Sequence, residues 1–119
     1  MSLWGAVMGG ANLVNHAAGW LEGGLTASYE KLIIDAELLQ MIAAYLEPIV
    51  VDEQTMAVDA IAEVGPGGHF FGSPHTMERY ESAFYTPLVS DWRNFESWTE
   101  AGSVDATERA HRIWRRLLA

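Results

Sequence analysis

The sequence predicts a mainly α-helical protein with about five helices and at most one short strand. Three observations support this prediction. Apolar residues recur at helical spacing across Tyr29–Leu46 and again near the end of the chain. Helix-capping residues precede the patterned segments, and one apolar run, residues 13–18, has the length of a strand buried on both faces. With 119 residues, the chain is long enough for one hydrophobic core.

The first part of the chain is predicted to hold that strand and one long helix. Residues 13–18 follow a pair of glycines, and a helix end is the alternative interpretation of this run. After a glycine-rich loop, Thr26 or Ser28 is expected to cap a helix over Tyr29–Leu46. Two apolar stripes on this helix indicate that it packs on more than one side. Pro48 ends it.

Four further helices are predicted after Pro48. Asp52 is expected to cap a helix that runs to Val64 and ends at Gly65. Ser73 before Pro74 indicates a helix over residues 74–84. Asp105 and Glu108 form a capping box in front of the last helix, which has arginines on one face and an apolar opposite face that consists of Ala110, Ile113, Trp114, Leu117 and Leu118. The remaining one of these helices, before the last, carries Trp92, Phe95 and Trp98, whose spacing of three makes an aromatic stripe on a helix, typical of residues packed in a core.

The stretch GPGGHFFGSPHT, residues 65–76, combines glycines, histidines and aromatic residues. It does not fit a phosphate-binding loop, because the preceding segment is predicted helical and Phe70 stands where the third glycine is required. His69, His75 and Glu78 offer nitrogen and oxygen ligands, but their spacing matches no zinc motif. We therefore expect a turn between helices and no metal.

Composition narrows the classes of function. The chain carries 16 acidic and 7 basic side chains, and this net charge of −9 argues against nucleic-acid binding. It has no cysteine, which excludes disulfides and thiol catalysis but leaves the redox compartment open. No apolar run approaches the ~20 residues of a membrane span, so we expect a cytoplasmic protein. The last helix concentrates Arg109, Arg112, Arg115 and Arg116. A solvated helix face is the ordinary interpretation of this cluster, and a docking surface is the alternative. One hypothesis for the chain is therefore a non-catalytic acidic helical module that binds a protein partner through this helix.

The segment NHAAGWLEGG supplies the best candidate binding site. If residues 13–18 form a barrel strand, His16, Trp20 and Glu22 lie at its carboxyl end, where barrel enzymes place their sites. The Trp20 ring then suits a quaternary or protonated amine, and Glu22 balances the charge. A plain packing role for Trp20 and a solvated Glu22 form the alternative. Further candidates for the same pocket are Tyr29, His69, Phe70 and Phe71. No catalytic residue is identifiable, since neither G-x-S-x-G nor a Ser-His-Asp set is present.

Three stretches carry a resemblance to a known family: HAAGWLEGGLTASYEKLIIDAELLQM, GPGGHFFGSPHTMERYESAFYTPLVSDWRNFESWTEAG and DATERAHRIWRRLLA. They resemble the C-terminal region of the trimethylamine methyltransferase family. The resemblance implies a TIM barrel that moves a methyl group from a methylated amine to the corrinoid cobalt of a partner protein. This chain itself is then expected to bind no cofactor. Its residues 4–119 are a single C-terminal fragment, with 4–48 at the end of the barrel and 49–119 in the C-terminal helices. Residues 1–3 are expected to be a cloning remnant.

The resemblance leaves the substrate open between trimethylamine and a quaternary amine such as glycine betaine. Members with pyrrolysine carry it upstream of the region that this chain resembles, so no catalytic residue transfers to it. A fragment without most of its barrel is expected to be inactive by itself. Its uncovered apolar surfaces are expected to favour a homo-oligomer.

Overall fold

A computed structural model describes residues 2–119 and confirms a mainly helical chain. Its α-helices are α1 (Ser2–Met8), α2 (Tyr29–Leu46), α3 (Glu53–Met56), α4 (Val58–Val64), α5 (Pro74–Met77), α6 (Phe95–Glu100) and α7 (Ala106–Leu117). Strands β1 (Trp20–Leu21) and β2 (Thr26–Ala27) pair antiparallel, with Trp20 opposite Ala27 and Leu21 opposite Thr26. None of the described helices has the length and apolar character needed to cross a membrane.

The chain divides into two compact units. The first, called here the α2 unit, consists of the residues up to Tyr45 together with Pro87–Ala119. The second, called here the 46–86 unit, is the segment Leu46–Thr86 and contains α3, α4 and α5. The division follows the tertiary contacts. The predicted boundary between residues 48 and 49 was drawn from the family resemblance and stays a prediction.

Helix α2 is the central element of the α2 unit. Its bounds match the prediction, and Ser28 caps it by accepting a hydrogen bond from the Lys31 amide at 3.3 Å. The helix buries two acidic side chains, Asp35 and Glu37, which are 4% and 7% exposed. Among the described residues, the buried apolar side chains are few and mostly small: Ile42, Ala60, Val89 and Ala110. The interior of the α2 unit therefore contains two carboxylates, Asp35 and Glu37, beside three buried apolar side chains, Ile42, Val89 and Ala110.

The carboxylate of Glu37 holds the segment that returns toward α7. It accepts hydrogen bonds from the amides of Val89 and Ser90, the latter at 3.1 Å, and from the Ser90 hydroxyl. Burial raises the pKa of Glu37, but the hydrogen bonds from Ser90, Val89 and Leu88 outweigh it and keep that pKa below its ordinary value of 4.5. Glu37 is thus an ionised acceptor inside the unit.

The strand predicted at residues 13–18 is wrong. These residues lie in turns and bends, and the sheet is instead the two-stranded ribbon that follows them. His16 has φ of +54°, which interrupts any extended run because a left-handed backbone cannot continue a strand. The sequence analysis also did not predict α1, which includes Ser2 and Leu3 of the expected remnant, and Met1 lies outside the described residues.

Two predicted helices are shorter than expected. The helix capped by Asp52 is confirmed at its start, where Asp52 accepts from the Thr55 amide at 2.7 Å, but it breaks at Ala57, whose φ is +51°. The helix predicted over residues 74–84 ends at Met77. There the Arg79 guanidinium donates to the His75 carbonyl at 3.2 Å, while the Arg79 amide bonds to Thr76. The backbone thus changes from the i→i−4 bonds of an α-helix to an i→i−3 bond at Arg79.

The C-terminal helices follow the prediction at their caps but not in all their packing. Asp105 caps α7 by accepting from the Glu108 amide at 2.8 Å. Ala110 is fully buried, whereas Leu117 and Leu118 at the end of the same face are exposed. The aromatic residues expected to pack together also differ: Trp92 and Phe95 are exposed, and Trp98 is half-buried with its indole donating to the Val104 carbonyl at 3.0 Å.

Candidate substrate-binding site

The predicted site residues lie in a loop with an unusual backbone. His16 and Glu22 have φ of +54° and +51°, and they are two of four described residues other than glycine with positive φ. Gly19, Gly23 and Gly24 also have positive φ. Left-handed conformations cost energy in residues that carry a Cβ and concentrate at functional sites. These backbone conformations make the loop a candidate for a binding site.

A buried carboxylate of α2 fixes this loop. The Gly19 amide donates to Asp35 Oδ2 at 2.9 Å, and Lys31 pairs with the same carboxylate from one turn away. The Gly19 carbonyl accepts from the Ser28 amide at 3.0 Å. Gly19 itself is buried with φ of +81°, and a Cβ there would lie 3.4 Å from Leu32 Cβ. Both the position and the conformation of Gly19 are therefore set by α2 before the ribbon of β1 and β2 begins.

Three of the predicted residues come together around one open cavity. His16, Trp20 and Glu22 line a cavity of about 530 Å³, together with Leu21 and two glycines. The rings of His16 and Trp20 meet edge to face, with centroids 5.6 Å apart and planes at 85°. Trp20 remains 43% exposed, so part of its ring is open to a ligand.

Tyr29 lies on a different cavity. It lines a space of about 390 Å³ with Trp20, Ser28 and Leu32, so that Trp20 borders both cavities. The Tyr29 ring also stacks on Trp114 of α7, with centroids 5.0 Å apart and planes at 31°. The cavity lined by Tyr29 thus shares only Trp20 with the candidate site.

The remaining candidates lie in the 46–86 unit. His69 and Phe70 are exposed, and the His69 ring packs against Phe71 with centroids 5.8 Å apart. In the alternative metal set, the ring of His75 contacts the Gln54 carbonyl at 2.7 Å, and Glu78 pairs with Arg79 at 3.0 Å. No three His, Asp or Glu side chains within residues 2–119 are grouped so that they could hold a metal ion.

The sequence analysis missed Asp35 and the cluster around Glu30. Glu30 accepts hydrogen bonds from His111 Nδ1 at 2.9 Å, from the Trp114 indole at 2.7 Å and from the Ser28 hydroxyl at 2.9 Å. The bonds from His111 and Trp114 are the main reason that the pKa of Glu30 falls to about 2. An acidic residue among the apolar stripes of α2 was the available signal for both residues. Glu30 anchors α7, and Asp35 anchors the site loop.

The arrangement can bind a small organic cation. An exposed indole face attracts a cation with about 0.5–2 kcal/mol, depending on how far the site is desolvated. The nearby Glu22 carboxylate supplies the opposite charge, and the imidazole edge holds the indole in place. A quaternary ammonium has no N–H to donate, so an aromatic face and a carboxylate are the groups that suit it. The arrangement therefore makes this loop a candidate site for an organic cation in a mainly helical protein.

Comparison with known proteins identifies the family. The sequence matches the trimethylamine methyltransferase (MTTB) family over residues 1–119. The chain belongs to this family, as its resemblance predicted.

Individual relatives carry two different substrate names. The chain is 40% identical over its whole length to a glycine betaine methyltransferase of Desulfitobacterium hafniense strain Y51, of which it covers 25%. It is 38% identical over 87% of its length to a trimethylamine methyltransferase of Desulfitobacterium hafniense strain DCB-2, of which it covers 21%. A trimethylamine methyltransferase of Methanosarcina acetivorans gives the same three values. The chain thus spans a quarter or less of the length of these relatives.

Proposed function

We propose that the chain is the C-terminal part of a methyltransferase that takes a methyl group from a methylated amine. The substrate is trimethylamine or a quaternary amine such as glycine betaine, and the acceptor is a corrinoid carried by a partner protein. Family membership supports the reaction class. The observation that carries the proposal at the level of residues is the open cavity shared by His16, Trp20 and Glu22.

In this proposal the loop binds the methylated nitrogen. The exposed part of the Trp20 ring receives the cationic methyl groups, and Glu22 offsets the charge that is removed from water. His16 positions Trp20 through the edge contact. Asp35 holds the start of the ribbon through Gly19, so that the indole is preorganised before substrate arrives. The corrinoid supplies the acceptor of the methyl group, and no residue of this chain is assigned to the transfer.

The fragment character of the chain belongs to the same proposal. Residues 4–48 would complete a TIM barrel, and residues 49–119 would form the C-terminal helices of a cytoplasmic enzyme. The chain covers 25% of its glycine betaine relative, and large apolar side chains such as Leu25 and Ile49 are 86% and 90% exposed. Surfaces of this kind are normally covered by other protein. We therefore propose that the isolated chain is inactive and self-associates, and light scattering that shows a clean monomer at high concentration would contradict the second point.

The test uses the whole reading frame to which the chain belongs. Methylation of a reduced corrinoid protein, followed by cobalt absorbance, is measured with trimethylamine and with glycine betaine. Trp20→Ala is expected to raise KM by about tenfold, because losing a cation–π contact of about 1.4 kcal/mol has that effect. Trp20→Phe keeps an aromatic face, so its KM is expected to rise less than that of Trp20→Ala. Trp92→Ala is the matched control, because Trp92 is another exposed tryptophan that lines none of the cavities described above.

Two outcomes would contradict the proposal. If the whole enzyme turns over neither amine, the proposed methyl transfer is wrong. The hypothesis of a non-catalytic interaction module is then favoured. Equal KM values for Trp20→Ala and the unaltered enzyme would leave the methyltransferase class intact but remove Trp20 from the substrate site.

A further inference from the structure

A second cleft in the α2 unit has a different chemistry from the cation site. It lies between residues 88–104 and α7 and has a volume of about 420 Å³. Four arginines line it: Arg93, Arg109, Arg112 and Arg116. These are four of only seven basic residues in a chain of net charge −9. The cleft therefore concentrates positive charge against the overall sign of the chain.

Ion pairs within the protein neutralise only part of this charge. Asp91 accepts from both Arg93, at 2.7 Å, and Arg109. Glu108 pairs with Arg112 at 2.9 Å. Arg116 forms no ion pair with any residue in the described part of the chain. Four guanidinium groups therefore share two carboxylates, and the cleft keeps an excess of two positive charges.

The same ion pairs hold the guanidinium groups in place. The Asp91 side chain is only 16% exposed, and Arg109, which is 21% exposed, also donates to the Ser90 carbonyl at 3.4 Å. Ser90 is itself held by Glu37 of α2. Arg109 is thus fixed by a partly buried network, and a ligand does not have to order this side chain. Arg112 and Arg116 lie one helical turn apart on α7 and line the other wall.

We propose that this cleft, called here the arginine cleft, binds a phosphate group, either free or as the ester of a small molecule. Guanidinium groups bind oxyanions through paired N–H donors. A phosphate monoester carries about −1.5 to −2 charges at pH 7, which matches an excess of two positive charges better than a single carboxylate does. The strongly negative charge of the rest of the chain disfavours an extended polyanion. The arginine cleft shares no lining residue with the cavity of His16, Trp20 and Glu22.

The test titrates inorganic phosphate and pyrophosphate into the full-length protein at low salt, with calorimetry and ³¹P line broadening as readouts. Arg116→Gln and Arg112→Gln are each expected to weaken binding by about tenfold. Arg115→Gln is the matched control. Arg115 lies on the same helix and is exposed, but its guanidinium sits 5.4 Å from the Trp114 ring centroid and lines a neighbouring cavity instead. This variant is expected to bind phosphate like the unaltered protein.

Each other outcome overturns the proposal. Absence of phosphate binding to the full-length protein would do so directly. An equal loss of phosphate affinity in Arg115→Gln and Arg116→Gln would indicate that phosphate responds to the general positive charge of α7 or binds in the neighbouring cavity. Succinate that binds as tightly as phosphate would overturn the assignment of a phosphate group.

Thermal melting confirms that the variants are folded. No change in melting temperature is expected for Arg116→Gln, because Arg116 is exposed and has no ion pair to lose within the described residues. A ribose 5-phosphate titration then distinguishes an ester from free phosphate.

Discussion

The polar contacts inside the α2 unit span longer stretches of sequence than those inside the 46–86 unit. In the α2 unit, carboxylates of one helix reach across the sequence: Asp35 to Gly19 over 16 positions, Glu37 to Val89 over 52, and Glu30 to His111 over 81. In the 46–86 unit, the Asp52–Thr55 cap spans 3 positions and the contacts of Gln54 with His75 and Arg79 span 21 and 25. The α2 unit thus depends on polar contacts that, among those named, join residues up to 81 positions apart, whereas the contacts named for the 46–86 unit span at most 25 positions.

This difference indicates where each unit is vulnerable. Removing one partner of a buried charged hydrogen-bond network costs more than removing an exposed cap, because the groups left behind stay buried without a partner. Loss of a carboxylate on α2 should therefore disrupt the α2 unit, whereas changes in the 46–86 unit should act locally. The four predictions below run from the largest expected effect to the smallest.

Acid should affect the α2 unit most, because it removes the contacts of Glu30 and Glu37 together. Both carboxyls have a folded pKa below the ordinary value of 4.5, and that of Glu30 is about 2. Their stabilisation is complete above pH 4.5 and is lost as the pH falls toward 2, since the unfolded chain then binds more protons. Tryptophan fluorescence should report the loss through Trp114. Glu30→Gln should make this pH dependence less steep, and an unchanged pH dependence would contradict the assignment.

Glu37→Ala should be the most damaging single substitution. It leaves the amides of Val89 and Ser90 without their acceptor, and we expect a loss of about 3 kcal/mol in the free energy of unfolding. Glu37→Gln keeps the shape and one acceptor oxygen and should cost less. Chemical denaturation measures both. A loss below about 1 kcal/mol for Glu37→Ala would mean that water replaces the carboxylate.

Asp35→Ala should combine a moderate loss of stability with a functional effect. The Gly19 amide loses its acceptor, and we expect a cost of about 2 kcal/mol. In the whole enzyme KM for the amine should also rise, because Trp20 follows Gly19 directly. Asp35→Asn still accepts from Gly19 but loses the ion pair with Lys31, so it should retain most substrate binding. An unchanged KM for Asp35→Ala would mean that the loop held by Asp35 does not contribute to substrate binding.

Ser73→Ala should have the smallest effect on stability, and it should stabilise the protein instead of destabilising it. Ser73 is 6% exposed, and its hydroxyl has no hydrogen-bond partner within the described residues although it stands at the start of α5. Removing an unpaired buried hydroxyl should stabilise the 46–86 unit by up to about 1 kcal/mol. Hydrogen exchange of α5 amides measures this locally. Destabilisation would indicate that a water molecule satisfies the hydroxyl.

Part of the candidate site was predictable from the sequence. His16, Trp20 and Glu22 are only a few positions apart, so any compact loop brings them close together, and the glycines between them favour such a loop. The reason given for the site, a strand over residues 13–18, was wrong even though the residues themselves converge on one cavity. Asp35 was not predicted, because an acidic residue on a helix is usually solvated and its bond to Gly19 has no local signature.

The sequence by itself determined the features that depend on neighbouring residues. The bounds of α2, the caps at Ser28, Asp52 and Asp105, and the family were all evident from it, because periodicity and capping act within about one helical turn. Only the tertiary structure decided the partners of Glu30, Asp35 and Glu37 and the collection of four arginines around one cleft. These pairings join residues far apart in the chain, and their energies arise only when folding removes the charges from water.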